Sequence, residues 1–117
     1  MIEFTVEFYE DENGCRPVEE FLLKLNVKMR AKLFGLLKVL QEKGYQLREP
    51  YSKHLCDGIF QIRGKVGNDT TRILYFFYID GKIILTNGFI KKTNKTPVKE
   101  IALAKKRRRD YLERIRK

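Results

Sequence analysis

The sequence predicts an α+β fold, with a curved sheet of four strands, an N-terminal helical hairpin and a C-terminal basic helix. Three observations predict it. The chain opens on a period-two alternation, continues with two stretches of apolar residues at helical spacing, and then carries three closely spaced β-rich runs before a last helical stretch.

Ile2, Phe4, Val6 and Phe8 alternate with Glu3, Thr5, Glu7 and Tyr9, which predicts a half-buried strand over Ile2 to Tyr9 with one solvated face. Asp11-Glu12-Asn13-Gly14 ends it in a turn. Pro17 suits the first turn of a helix, and Val18, Phe21, Leu22 and Leu25 fall on one side of it. Asn26 ends that helix and caps the next, whose apolar stripe is Met29, Leu33, Leu36, Leu37 and Leu40, terminated by Gly44. With almost no loop between them, the two helices form a hairpin. Gln46 to Asp57 reads as a short polar connector.

The later strands are Ile59 to Arg63, Thr71 to Ile79 and Lys82 to Phe89, separated by Gly64 to Thr70 and by Asp80-Gly81. Asp-Gly between apolar runs is a strong hairpin signal. The middle run is apolar on both faces and therefore belongs at the centre of the sheet. Thr96-Pro97 opens the last helix with a capping side chain and a proline at its first position. Val98, Ile101, Ala104, Tyr111, Leu112 and Ile115 supply its apolar side, which Lys105-Lys106-Arg107-Arg108-Arg109 interrupts, so partial docking is expected. The 117 residues suit a single domain, 1–117, with one modest core.

The net charge of +10 is unevenly placed: residues 1–20 carry −6 and residues 91–117 carry +9. One electropositive side attracts polyanions; the plainer reading is a basic surface that keeps the protein soluble. No apolar run approaches the roughly 20 residues that span a bilayer. The chain starts directly in strand-like alternation, so no signal peptide and a cytoplasmic location are expected. Cys15 and Cys56 are too few and too far apart in sequence for a zinc site, and reduced thiols are expected in preference to a disulfide between them.

Arg63 and Arg72 stand inside runs that are otherwise apolar or aromatic. A strand arginine is costly to bury without a partner, so each faces an internal acid or an external anion. Acids are scarce nearby and the next charged segment is rich in lysine, including Lys91, Lys92 and Lys95, which suggests a sheet face built to hold phosphate. The structural alternatives are Arg63 paired with Asp57 or Glu49 at a sheet edge, and Arg72 bridging strands to a helix. Lys91 and Lys92 point to opposite sides if extended, so only one is expected at the site. Tyr75 and Phe89 are either base-stacking or core aromatics. His54, the single histidine, is a candidate acid or base or an ordinary surface residue. No cluster of His, Asp and Glu has metal-ligand spacing, and Gly64-Lys65-Val66-Gly67 lacks the rest of a phosphate-loop pattern, so neither metal nor cofactor is expected.

His54-Leu55-Cys56-Asp57-Gly58-Ile59-Phe60-Gln61-Ile62-Arg63 resembles a signature of the RelE superfamily of toxins, as does Arg72-Ile73-Leu74-Tyr75, with Thr71 in place of a tyrosine. Gly88-Phe89-Ile90-Lys91-Lys92-Thr93-Asn94-Lys95-Thr96-Pro97 is similar to the block of the phage-type HigB branch. The resemblance implies a RelE-like (microbial ribonuclease-like) fold and a type II toxin that cleaves mRNA, usually on the 70S ribosome. It also implies a cognate antitoxin, expected to be acidic or a helix-turn-helix HigA-like protein, and a possible heterotetramer with it. The family pattern often has His before the Gly-Phe of the last strand, where this chain has Asn87; the tyrosine some members place after the basic block is replaced by Thr96 or Pro97.

Metal-free RNA cleavage uses the neighbouring 2′-OH as nucleophile and needs a base, cations around the phosphorane and an acid for the leaving oxygen. The candidate catalytic set is Arg63, Arg72, Lys91, Lys92, Lys95 and His54; the candidate RNA-binding set is Tyr75, Asn87, Phe89 and Lys105, Lys106, Arg107, Arg108 and Arg109. Two other function classes compete: a non-catalytic RNA- or ribosome-binding module, including a degenerate toxin marked by Asn87, and a structural partner whose basic face binds an acidic protein.

Overall fold

The computed structural model describes residues 3–91 and 95–115. In chain order the elements are β1 (Thr5–Phe8), α1 (Pro17–Lys24), α2 (Val27–Lys43), β2 (Ser52–Cys56), β3 (Ile59–Val66), β4 (Asp69–Tyr78), β5 (Lys82–Lys91) and α3 (Val98–Ile115). The strands form one mixed sheet in the order β1-β5-β4-β3-β2, with β1 parallel to β5 and all other pairs antiparallel.

The sheet has five strands where the sequence predicts four. The extra one, β2, lies in the polar connector. It folds back on β3 through Asp57-Gly58, whose φ values of 48° and 79° are the positive pair a tight two-residue hairpin requires. The backbone ladder recruits this polar segment without help from apolar alternation. The segment between β3 and β4 is also more ordered than its composition suggests. Gly64, Lys65 and Val66 pair with Thr71, Thr70 and Asp69, leaving only a short reversal at Gly67.

Helices cover both faces. On one, α1 and α2 bury Val18, Leu22, Met29, Leu33, Leu37 and Leu40 against Ile62, Ile73, Tyr75, Ile83 and Leu85. Asn26 caps α2 as its sequence suggests, its side-chain oxygen accepting from the Met29 N–H at 2.9 Å. Gly44 ends α2 at φ 54°, and a Cβ there would stand 2.0 Å from the Phe4 ring, so neither its backbone nor its space suits a larger residue. Gly88 admits α1 to β5, because a Cβ would lie 2.6 Å from Phe21.

On the other face α3 covers Tyr9, Ile59, Leu74, Phe76 and Ile84. Tyr9, read as part of a solvated strand face, is therefore only 5% exposed. Docking of α3 is partial, as expected, and mostly polar: Ala104 is its one buried residue, while Val98 is 82% exposed. Thr96 does not cap the helix; its hydroxyl donates to Gln61 Oε1 at 2.8 Å, and the Pro97 carbonyl accepts the first helical bonds, from Glu100 and Ile101. No helix among the described residues is long and apolar enough to cross a membrane, and both cysteines are free thiols.

Candidate nucleic-acid interface

Strand register assembles the site. Arg63 on β3 stands opposite Arg72 on β4, which stands opposite Phe89 on β5. Two residues along, Lys65, Thr70 and Lys91 form the next row on the same face. Strand alternation puts both rows on the face that α3 covers farther along, with Leu74 and Phe76.

Arg72 is the anomaly of the fold. It is only 9% exposed, yet its Nε and Nη1 have no hydrogen-bond partner among the described residues, and neither does Arg63 Nε. Burial and the neighbouring Arg63 both pull the Arg72 pKa down, though an arginine remains cationic at any physiological pH. Lys91, also 9% exposed, has its pKa lowered by burial first and then by Arg72, Arg63 and Lys53. Arg72, Arg63 and Lys53 thus all act against the charge of Lys91, and Arg63 acts against that of Arg72. An anion seated among them reverses the sign of that energy.

Arg63 and Arg72 also wall a cleft of about 310 Å³. Lys32 of α2 and Lys65 add further positive charge, and Thr70, Pro50 and Tyr51 complete the walls without any carboxylate. A larger cleft, about 490 Å³, lies between Glu7 and Glu10 on one side and Tyr111 and Arg114 on the other. Two ion pairs already stand at it, Arg16–Glu10 at 3.0 Å and Arg114–Asp110 at 2.9 Å. The smaller cleft is lined by cationic and neutral residues alone.

A family model described as phage derived protein Gp49-like (DUF891) matches residues 20–109, which include every strand of this site. The chain belongs to that family. The Gp49-like family is one of type II toxins related to the RelE- and HigB-like toxins. Such a toxin has an antitoxin partner. A search of curated proteins gave no match.

The Gp49-like scaffold sorts the remaining sequence candidates by position. Lys92 lies outside the described residues, and Lys95 is exposed just before α3. His54 stands on β2, not in a connector; its Nε2 accepts from the Gly58 N–H at 3.1 Å and its ring meets Phe60 at 4.9 Å. Phe60 packs with the α1/α2 core, so His54 sits on the face opposite Arg63 and Arg72. Tyr75 is not offered to a base: it is 1% exposed, its hydroxyl 2.5 Å from Ser52 Oγ, and burial raises its pKa to about 12.

Asn87 is likewise internal. Its Oδ1 accepts from the Thr86 hydroxyl at 2.7 Å, and its Nδ2 donates to Glu100 Oε1 at 2.9 Å and to the Glu100 carbonyl at 3.2 Å. It ties the start of α3 to β5 and is buried there. Phe89 is half-buried, packed against the α3-side core.

The basic run divides between docking and display. Lys105 pairs with Asp57 at 2.7 Å, which lowers the Asp57 pKa and raises that of Lys105. Arg108 donates to the Asp57 carbonyl, and Arg107 donates to the Thr86 carbonyl at 2.9 Å while lying 5.7 Å above the Tyr9 ring. Lys106 and Arg109 face solvent.

Sequence reasoning missed Lys32, Lys53, Lys65 and Tyr51. Lys65 was detectable, since it follows Arg63 at strand period; Lys32 and Tyr51 come from other elements and carry no local signal. Among the described residues, no three His, Cys, Asp or Glu side chains come together in a way that could hold a metal ion.

Proposed function

We propose that this Gp49-like toxin is an mRNA interferase, an endoribonuclease that acts on mRNA at the 70S ribosome in the cytoplasm and is restrained by a HigA-like antitoxin. The observation that carries the proposal is Arg72: a buried guanidinium with unpartnered Nε and Nη1, register-paired with a second arginine beside a cleft walled by two lysines. A phosphodiester supplies the missing acceptors, through charge-assisted contacts with its non-bridging oxygens.

In the proposed reaction the 2′-OH of the substrate attacks the adjacent phosphorus and the 5′-oxygen leaves, giving a 2′,3′-cyclic phosphate and a 5′-OH. Arg63 and Arg72 stabilise the phosphorane, whose extra negative charge makes their contacts stronger in the transition state than in the ground state. The depressed pKa of Lys91 makes its ammonium a stronger acid than a solvated lysine, which suits it to protonate the leaving oxygen. Asn87 and His54 are both committed elsewhere, and the base that takes the 2′-OH proton is assigned to the ribosome.

The same commitments favour a second reading, a toxin that occupies RNA or the ribosome without cutting it. Inducible expression with mapping of mRNA 5′ ends separates the two. For the interferase, new ends appear on induction and vanish when the antitoxin is co-expressed. In vitro, cleavage on intact ribosomes persists with excess EDTA and stops when the cut nucleotide is 2′-deoxy. A product ending in 3′-OH excludes the mechanism, and growth arrest without new ends supports the second reading.

A further inference from the structure

Of the aromatic residues near the cation cluster, Tyr75 is buried and Phe89 is packed against α3-side core residues. Tyr51 differs from both. It is 49% exposed, yet it lines the cleft between Lys32, Lys65 and the two arginines.

Its position is held by the backbone. The Tyr51 carbonyl accepts from the Arg63 N–H at 2.9 Å, while its own N–H donates to the Arg48 carbonyl at 3.1 Å. Ser52 then pairs with Ile62 and begins β2. Tyr51 is thereby the lateral neighbour of Arg63 and extends the Arg63–Arg72 row toward the sheet edge. A half-exposed ring beside a guanidinium row, in a cleft that two lysines also line, has the makeup of a single-strand nucleotide subsite: a stacking platform next to a positive track for the backbone.

We infer that Tyr51 is the stacking platform for an unpaired ribonucleotide next to the scissile phosphate, whose outer phosphate lies between Lys65 and Lys32. This rests on the reading of Arg63 and Arg72 as the scissile-phosphate site. Because every base has a π-face, the subsite grips single-stranded RNA without reading its sequence. It also rejects a paired nucleotide, whose faces are already stacked within a duplex.

The test uses the full chain and two probes: a short 2′-O-methyl oligoribonucleotide, which cannot be cleaved, and an abasic oligomer with the same number of phosphates. Wild type is expected to bind the base-carrying probe about tenfold or more tightly than the abasic one. Tyr51→Leu is expected to bring that ratio down toward one while leaving abasic binding unchanged, and Tyr51→Phe to preserve it. Lys65→Ala is expected to weaken both probes alike and reduce the salt dependence. A Tyr51→Leu protein that keeps the wild-type ratio overturns the subsite and leaves the phosphate site standing. If Arg63→Ala binds both probes as tightly as wild type, the phosphate reading fails and the subsite fails with it.

Discussion

Replacing Arg72 with methionine should make the protein more stable and less active. Methionine keeps the unbranched stem that packs in the sheet and removes the guanidinium. In the free protein that group is 9% exposed, lacks partners at Nε and Nη1, and stands against Arg63 and Lys91. A buried polar group left without a partner costs about 1–3 kcal/mol, and exchanging buried charge for apolar volume is often stabilising by a similar amount. Arg72→Met is therefore expected to gain about 1–3 kcal/mol. For a domain of this size that is a rise in Tm of roughly 5 °C or more.

The assay is thermal unfolding of both proteins in buffer free of phosphate and other polyvalent anions, repeated with a short uncleavable RNA. Ligand that binds only the folded state raises Tm in proportion to its affinity, so RNA should narrow or reverse the gap by stabilising wild type more. Cleavage should fall about 10²-fold or more, the scale of losing one preorganised contact to a developing oxyanion. An Arg72→Met protein that melts several degrees below wild type in anion-free buffer would refute the reasoning, because the guanidinium would then be holding strands together.

Asn87→Asp should destabilise the start of α3 by about 1–3 kcal/mol, since a carboxylate replaces the amide that donates to Glu100; faster amide exchange over Val98–Ala104 checks it. In alkali, Tyr9 and Tyr75 both have pKa values raised to about 12, chiefly by burial. The folded state thus favours the neutral phenols, and their stabilising contribution is whole below pH 10 and is lost between pH 10 and about 12. Tyrosinate absorbance should show these two ionising late and together with unfolding; titration of all six tyrosines near their ordinary value would contradict it. Charge reversal at Lys106 and Arg109 should weaken RNA binding and flatten its salt dependence with Tm unchanged, whereas Arg107→Glu should lower Tm because it breaks the bond to the Thr86 carbonyl.

Much of the architecture was legible because its causes are local. Asn26 and Gly44 mark the ends of α2 through capping chemistry confined to a few neighbouring residues. The run in β4, apolar on both faces, implied a central position, and β4 is the middle strand of five. The missed strand shows the limit of apolar periodicity as a guide. Asp57-Gly58 and Asp80-Gly81 both adopt positive φ at a chain reversal, but only the second is flanked by apolar runs on both sides. Backbone pairing on β3 is indifferent to that difference, and β2 forms on it.

The site divides along the same line. From the sequence by itself came the arginines within apolar strands, the lysine block after them and the need for an internal acid or an external anion to meet those arginines, because the cost of burying a cation follows from residue type and strand setting. Only the tertiary structure decided that Arg63 and Arg72 face each other, that Lys91 is buried beside them and that Asn87 anchors α3. It also turned Lys105, Arg107 and Arg108 into docking groups and brought Lys32 and Tyr51 to the cleft. These are matters of register and of approach between elements far apart in the chain. They depend on which backbone ladder closes and which face each helix covers, and no local pattern of residues encodes that choice.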